Sequence, residues 1–170
     1  MSRPSPKGLT EVDDMKKSFP DPHPDPYVDA TRPYVMSVVQ ALLDHGISVP
    51  QSWLDPRDPR DATITLGHLE ATRPDVLYAL VWDEETGWRR GIFRSGQPGI
   101  RTVLDKATTL AGQLLPPGEQ VAMHILSNTR SQPRMFRSHR DLHDGFEARL
   151  RQAWLPQRVD GAETTRVVAT

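Results

Sequence analysis

The chain contains no cysteine. Disulfides, thiolate zinc sites, iron–sulfur clusters and thiol nucleophiles are excluded at once. Net charge is missing too: 21 Lys plus Arg against 22 Asp plus Glu leave -1, with a sequence pI near 6.6. A dedicated, charge-driven DNA binder carries a large basic excess, and this chain has none. No apolar run approaches the roughly 18 to 20 residues of a membrane span, and the start, MSRPSPKG, lacks the apolar centre of a signal peptide. A soluble cytoplasmic protein is expected, with no membrane partner. Aromatic residues are scarce at 6%, and a mean hydropathy of -0.55 implies that part of the chain stays outside any core.

Proline is abundant, with 16 in all and seven in the first 33 residues, where FPDPHPDPYVDATRP alternates it with Asp21, His23 and Asp25. Alternating prolines forbid a helix and deny a strand its donors. Residues 1–30 are therefore expected to form a disordered Pro/Asp-rich arm, residues 31–156 the folded domain and residues 157–170 a flexible tail.

Within the domain, RPYVMSVVQALLDHG spaces Tyr34, Val35, Val38, Val39, Leu42 and Leu43 as one helical stripe, predicting a helix over 33–45 that ends at Gly46. Ile47 to Leu54, interrupted by Pro50, predicts an edge strand or an extended connection, and Ala62 to Leu69 a strand. VLYALVW and WRRGIFRS flank the five-residue loop DEETG as a hairpin. A symmetric loop sets Trp82 opposite Trp88, Leu80 opposite Arg90 and Tyr78 opposite Ile92. Helical spacing from Ile100 to Leu114 predicts a second helix, alternation in GEQVAMHILS a further strand, and Ser138 to Trp154 a last helix. The expected fold is an α+β two-layer sandwich: an antiparallel sheet of four to five strands with helices packed mainly on one face.

The motifs WLDPRDPRDATI (Trp53 to Ile64), LVWDEETGW (Leu80 to Trp88) and LPPGEQVA (Leu115 to Ala122) resemble those of a small actinobacterial family carrying a domain of unknown function. The resemblance spans about residues 33 to 127 and implies no catalytic residue. The order of elements also resembles the two-layer fold of type III secretion chaperones, which implies binding without catalysis.

Candidate chemistry is sparse. Asp55, Asp58 and Asp61 recur at period three, but a straight ridge of carboxylates does not converge on a cation, and a stiff solvated turn is the favoured reading. His139 and His143 have the spacing of two zinc ligands on a helix but lack the glutamate of the metalloprotease motif, and arginines flank them. No nucleophile elbow, phosphate loop or dinucleotide fingerprint is present; SGQPG (Ser95 to Gly99) leaves only the prospect of one anion at the start of the second predicted helix. No enzyme, metal or cofactor is expected.

Two features point to binding. Alternation in the hairpin puts Tyr78, Trp82, Trp88, Arg90 and Arg94 on one sheet face, residue types frequent at partner-binding hot spots. Arg130, Arg134, Arg137 and Arg140 form a second candidate, for contact with an anion or a nucleic acid. The expected function is a non-catalytic binding or regulatory module engaging another protein through the aromatic and arginine face. Nucleic-acid contact through Trp82, Trp88, Arg90 and the 130–140 arginines is the alternative, and a small-ligand protein or enzyme without a recognisable motif the second alternative.

Overall fold

The computed structural model describes residues 18–67, 69 and 73–155. After a single helical turn, α1 (Pro26–Asp29), comes helix α2 (Arg32–Asp44), followed by strands β1 (Ser52–Asp55), β2 (Asp61–Leu66), β3 (Tyr78–Asp83), β4 (Gly87–Gln97) and β5 (Ile100–Thr109). Helices α3 (Gly118–Ser127) and α4 (Phe146–Ala153) complete the described chain. The strands form one antiparallel meander in the order β1-β2-β3-β4-β5. The fold is the α+β sandwich that the sequence predicts. Among the described residues, no helix is long and apolar enough to cross a membrane.

Helix α2 buries its stripe of Tyr34, Val35, Val38, Val39 and Leu42, and the chain leaves it through Gly46 at φ +75°, a left-handed conformation that glycine adopts without a Cβ clash. This stripe, with Val121, Ala122 and Ile125 of α3 and Phe146 and Leu150 of α4, covers the inner sheet face of Leu54, Ala62, Ile64, Leu66, Leu80, Trp82 and Trp88. The hairpin register matches the expectation, with Trp82 opposite Trp88, Leu80 opposite Arg90 and Tyr78 opposite Ile92.

Three expectations are corrected. Residues 100–109 are strand β5, because Pro98 and Gly99 (φ +85°) turn the chain back on β4 and β-branched Ile100, Thr102, Val103, Thr108 and Thr109 suit extended backbone. Two members of the presumed helical stripe, Ile100 and Val103, are 55% and 54% exposed. Residues 118–127 are helical: Pro116 and Pro117 precede the first turn, Ala122 is buried and Met123 faces out, the reverse of strand alternation. The last helix begins only at Phe146, after Gly145 at φ +77°.

The expected disordered arm is also corrected over its second half. Residues 1–17 lie outside the described residues, as does the 157–170 tail, whereas residues 18–30 pack on the domain. Ser18 Oγ donates to the Val49 carbonyl, Ser52 Oγ donates to the Ser18 carbonyl, and Val28 is fully buried. Asp25 caps α1 through the Tyr27 N–H and receives a two-pronged ion pair from Arg57. These local bonds supply what a proline-rich segment lacks in backbone donors.

The outer sheet face is covered by the protein's own β4–β5 hairpin. Bulges between Arg90 and Gln97 bend it back over β2, where Thr102 Oγ1 meets Thr63 Oγ1 at 2.7 Å and Arg101 Nη1 donates to Asp61. Beneath its tip, Asp55 and Asp61 are direct cross-strand partners and both are buried. Burial, then the neighbouring Asp61 charge, pushes the Asp55 carboxyl from 3.8 up to about 7, and burial raises Asp61 as well.

Two outcomes follow from this packing. A Cβ on Gly118 would lie 2.6 Å from the Ser37 carbonyl oxygen and 3.0 Å from Val38 Cα, so Gly118→Ala forces α3 off α2 and destabilises by about 1–3 kcal/mol in a denaturant melt. Asp55 keeps its proton in the folded chain after the unfolded chain has released it, so stability falls as pH rises from about 4 to about 7 and levels off above that. Asp55→Asn removes this fall, read as melting temperature against pH.

A candidate anion-binding cleft

The aromatic face proposed from sequence is the protein core. Trp82 and Trp88 are 0% and 1% exposed, so they offer no partner surface. The reason is that α2, α3 and α4 pack on that face and the indole donors find internal acceptors. Trp82 Nε1 donates to the Leu114 carbonyl at 2.9 Å, and Trp88 Nε1 to Tyr34 Oη at 3.0 Å, which itself donates to the Pro116 carbonyl at 2.7 Å. Tyr78 and Arg90 lie at the far end of the same face and stay half-buried. Arg94 stands apart, exposed and ion-paired with Asp105.

The four arginines of the second candidate do not form one patch either. Arg137 is buried, donating to Asp144 and Glu84 and lying over the Phe146 ring. Arg134 lies over Phe136 beside Met135, and Arg140 lines a hollow with Tyr27 and His139. Only Arg130 reaches Arg90. The anion site expected at SGQPG is corrected with its helix: residues 95–99 belong to the β4–β5 hairpin and start no helix.

Where Arg130 and Arg90 meet, a cleft of about 190 Å³ opens, into which Arg73 and Lys106 also project. Tyr78, Thr108 and Asn128 complete its polar lining, and among the described residues no carboxylate or histidine lines it. Two of the cations are placed by the sheet. Arg90 sits on β4 opposite Thr108 of β5, its guanidinium 5.1 Å from the Tyr78 ring centre and its Nη1 donating to Asn128 Oδ1 at 3.3 Å. Asn128 in turn closes α3 in the left-handed conformation, φ +52°. Lys106 occupies a bulge between the Arg90–Thr108 and Ile92–Asp105 pairs and is itself left-handed, at φ +51°. A side chain in that region costs about 1–2 kcal/mol, and bulges commonly re-aim a side chain at a functional site. Gly91 lets β5 close over β4, since a Cβ there would stand 2.9 Å from the Asp105 carbonyl oxygen.

The electrostatics separate this cleft from the rest of the molecule. Arg32, Arg57, Arg60, Arg89, Arg94, Arg101 and Arg137 are each ion-paired with a carboxylate of the chain. Arg60 is the most enclosed: fully buried, it donates to Glu84 at 2.7 Å and lies 3.7 Å from the Tyr27 ring centre. Burial pushes the Glu84 carboxyl up, but hydrogen bonds from Arg60 and Arg137 outweigh it and hold Glu84 below the usual range. Arg73, Arg90, Lys106 and Arg130 make no such pair among the described residues. The hollow at Tyr27 and Arg140 is larger, about 720 Å³, but Asp58 and Glu84 offset its cations. A third, of about 480 Å³, is lined by Phe19, Trp53 and Asp21 and holds no Lys or Arg. Among the described residues, no group of three or more His, Asp or Glu is placed to hold a metal ion. His139 instead receives Glu85, which accepts from both its backbone N–H and its ring.

Sequence reasoning reached Tyr78, Arg90 and Arg130 but not Arg73 or Lys106. Arg73 lies between strands without a motif, and Lys106 fell inside the stretch read as a helix, where its outward position carried no information.

A meander closed on one face by helices and on the other by its own hairpin makes this a small α+β protein. Residues 34–126 match a family of unknown function (DUF6292), and the chain belongs to that family. No curated protein and no solved structure matches it. The matched stretch contains Arg73, Tyr78, Arg90, Lys106 and Thr108, while Asn128 and Arg130 follow it directly.

Lys106→Gly separates the two roles of this position. It relieves the left-handed strain, raising stability by about 1 kcal/mol in a denaturant melt, and it weakens binding of anions to the cleft in a titration.

Proposed function

We propose that the protein is a non-catalytic binding module whose cationic cleft engages an acidic segment of a partner protein. The observation that carries this reading is the convergence of Arg73, Arg90, Lys106 and Arg130 on one cleft with no carboxylate among its described lining residues, in a chain whose other buried or bridging arginines are matched by its own acids. Four cations gathered in one place repel each other, and an anionic partner removes that penalty. The placement of Arg90 by Asn128 and Tyr78, and of Lys106 by the β5 bulge, lowers the ordering cost of binding.

The lining favours binding over catalysis, because what its described residues offer is cations and neutral polar groups, the chemistry that holds an anion. It favours a protein over a nucleic acid for two reasons. The basic residues make one cleft rather than a track along which successive phosphates could lie. Exposed Leu77 next to Tyr78, and exposed Leu126 two residues before Asn128, add the apolar contact that protein interfaces use.

The test is a fluorescence-anisotropy titration of a labelled ten-residue glutamate peptide and of a single-stranded oligonucleotide of equal charge, each over a salt series. The expected result is peptide binding at low salt that falls at least tenfold in Arg90→Ala/Arg130→Ala, a variant whose melting temperature is first shown to be unchanged. Tighter binding of the oligonucleotide with a steep salt slope would replace the proposal with the nucleic-acid reading, and no binding of either would remove it.

A further inference from the structure

We propose that the group the cleft is built to hold is a phosphate monoester, in the form of a phosphorylated side chain of the partner. This deepens the reading above and rests on it. The first argument is charge. Three arginines and a lysine surround about 190 Å³ with no acid among the described lining residues. A single carboxylate cancels one of those charges, whereas a phosphate monoester brings about -1.5 to -2 at neutral pH.

The second argument is hydrogen-bond number. A monoester offers three strong acceptor oxygens, and guanidinium forks can grip two of them at a time in parallel N–H···O bonds. Arg90 is held for such a role: its Nη1 is anchored on Asn128 and its plane lies near the Tyr78 ring, leaving its remaining donors in a fixed direction. The Thr108 hydroxyl, directly across the strand pair from Arg90, adds a neutral donor. Lys106, a flexible point charge, is brought to the same cleft by a left-handed bulge that costs folding energy. The third argument is size: the cleft is below the roughly 300–1,000 Å³ of sites that enclose a whole drug-sized molecule, so it takes a head group and leaves what carries that group outside.

The pH behaviour makes the inference decisive. The second ionisation of a phosphate monoester falls near pH 6. Among the described residues the charged and titratable groups facing it are Arg73, Arg90, Lys106, Arg130 and Tyr78; the nearest carboxylate on the same strand, Asp105, is bound to Arg94, and the ligand's own second ionisation spans the interval from about pH 5.5 to 7.5. Affinity for phosphate should therefore rise over that interval because of the ligand, while affinity for sulfate, already a dianion, stays level.

The experiment is a titration of the full chain followed by amide chemical shifts in NMR, at constant ionic strength, with five probes: inorganic phosphate, sulfate, glycerol phosphate, a short phosphoserine peptide, and the same peptide with glutamate in place of phosphoserine. The expected result is that the phosphoserine peptide binds at least tenfold more tightly than its glutamate counterpart, with shifts centred on Arg90, Lys106, Thr108 and Asn128. Phosphate binding gains several-fold between pH 5.5 and 7.5 and sulfate binding does not. Arg90→Lys, which keeps the charge and removes the fork, reduces the preference for phosphoserine over glutamate. Equal binding of the two peptides would overturn the phosphate inference and leave the acidic-partner reading standing. Silence from all five probes would overturn both. Glycerol phosphate binding as tightly as the phosphoserine peptide would keep the monoester and overturn the protein as its source.

Discussion

Two indoles facing each other across a hairpin are the constraint on which this structure depends. Trp82 and Trp88 are the largest fully buried side chains, and each carries one N–H that an apolar core cannot leave unbonded. Their acceptors come from elsewhere in the chain: the Leu114 carbonyl for Trp82, and Tyr34 of α2, itself bonded to the Pro116 carbonyl, for Trp88. Three bonds thus tie the hairpin to the first long helix and to the segment entering α3. Once the indoles are fixed inward, the faces of β3 and β4 are decided, since side chains alternate along a strand. Arg89, Gly91 and Phe93 take the outer face, and Arg90 is left at the margin of the inner one, beyond the reach of the helices. The cleft at Arg90 is therefore a by-product of where the helices stop.

Charge is distributed with the same economy. The buried pair of Arg60 and Glu84 takes in Arg137, Glu147 and the Tyr27 ring, drawing together α1, the loop before β2, the β3–β4 loop and α4. Such a cluster offers weak net stabilisation compared with an apolar replacement, but removal of one member strands a charge in the interior. Its structural effect is to consume arginines that sequence alone leaves available for outside partners. Net neutrality of the chain thus hides a local inequality, in which seven described arginines are answered by the chain's own acids while the four cations gathered at the cleft are not.

The legible parts of the sequence were those in which a local pattern has one physical meaning. The stripe from Tyr34 to Leu42 could only be a half-buried helix, and the loop DEETG between two apolar runs set a register that the structure reproduces pair for pair. Periodicity also identified which hairpin residues share a face, but it carries no information about which face is covered, and the helices that decide this come from distant segments. The stretches 100–109 and 118–127 failed for a different reason. Both fit two periods, and the deciding features were non-periodic: Pro98–Gly99 and a high β-branched content for the strand, Pro116–Pro117 for the helix. Half of the cleft was visible as Tyr78, Arg90 and Arg130. Lys106 was not, because a bulge is a property of two strands in register and exists only once β4 has met β5.

The strand order, identical to the order along the chain, bears on how the molecule comes into being. Every strand pairs with its neighbour in sequence, three of the four pairs across a short loop and β2 with β3 across residues 67–77, so the sheet can zip together hairpin by hairpin at little entropic cost, as the chain is synthesised. What cannot form early is the lid of the core. Phe146 stacks on Trp82 and lies under Arg60 and Arg137, yet it belongs to the last described helix. A nascent chain whose sheet is complete but whose α4 has not emerged presents an apolar, indole-lined surface with a half-assembled set of charges beside it. The arrival of α4 closes both at once, which gives this last described helix, eight residues long, the character of a clasp fastened over an already assembled sheet.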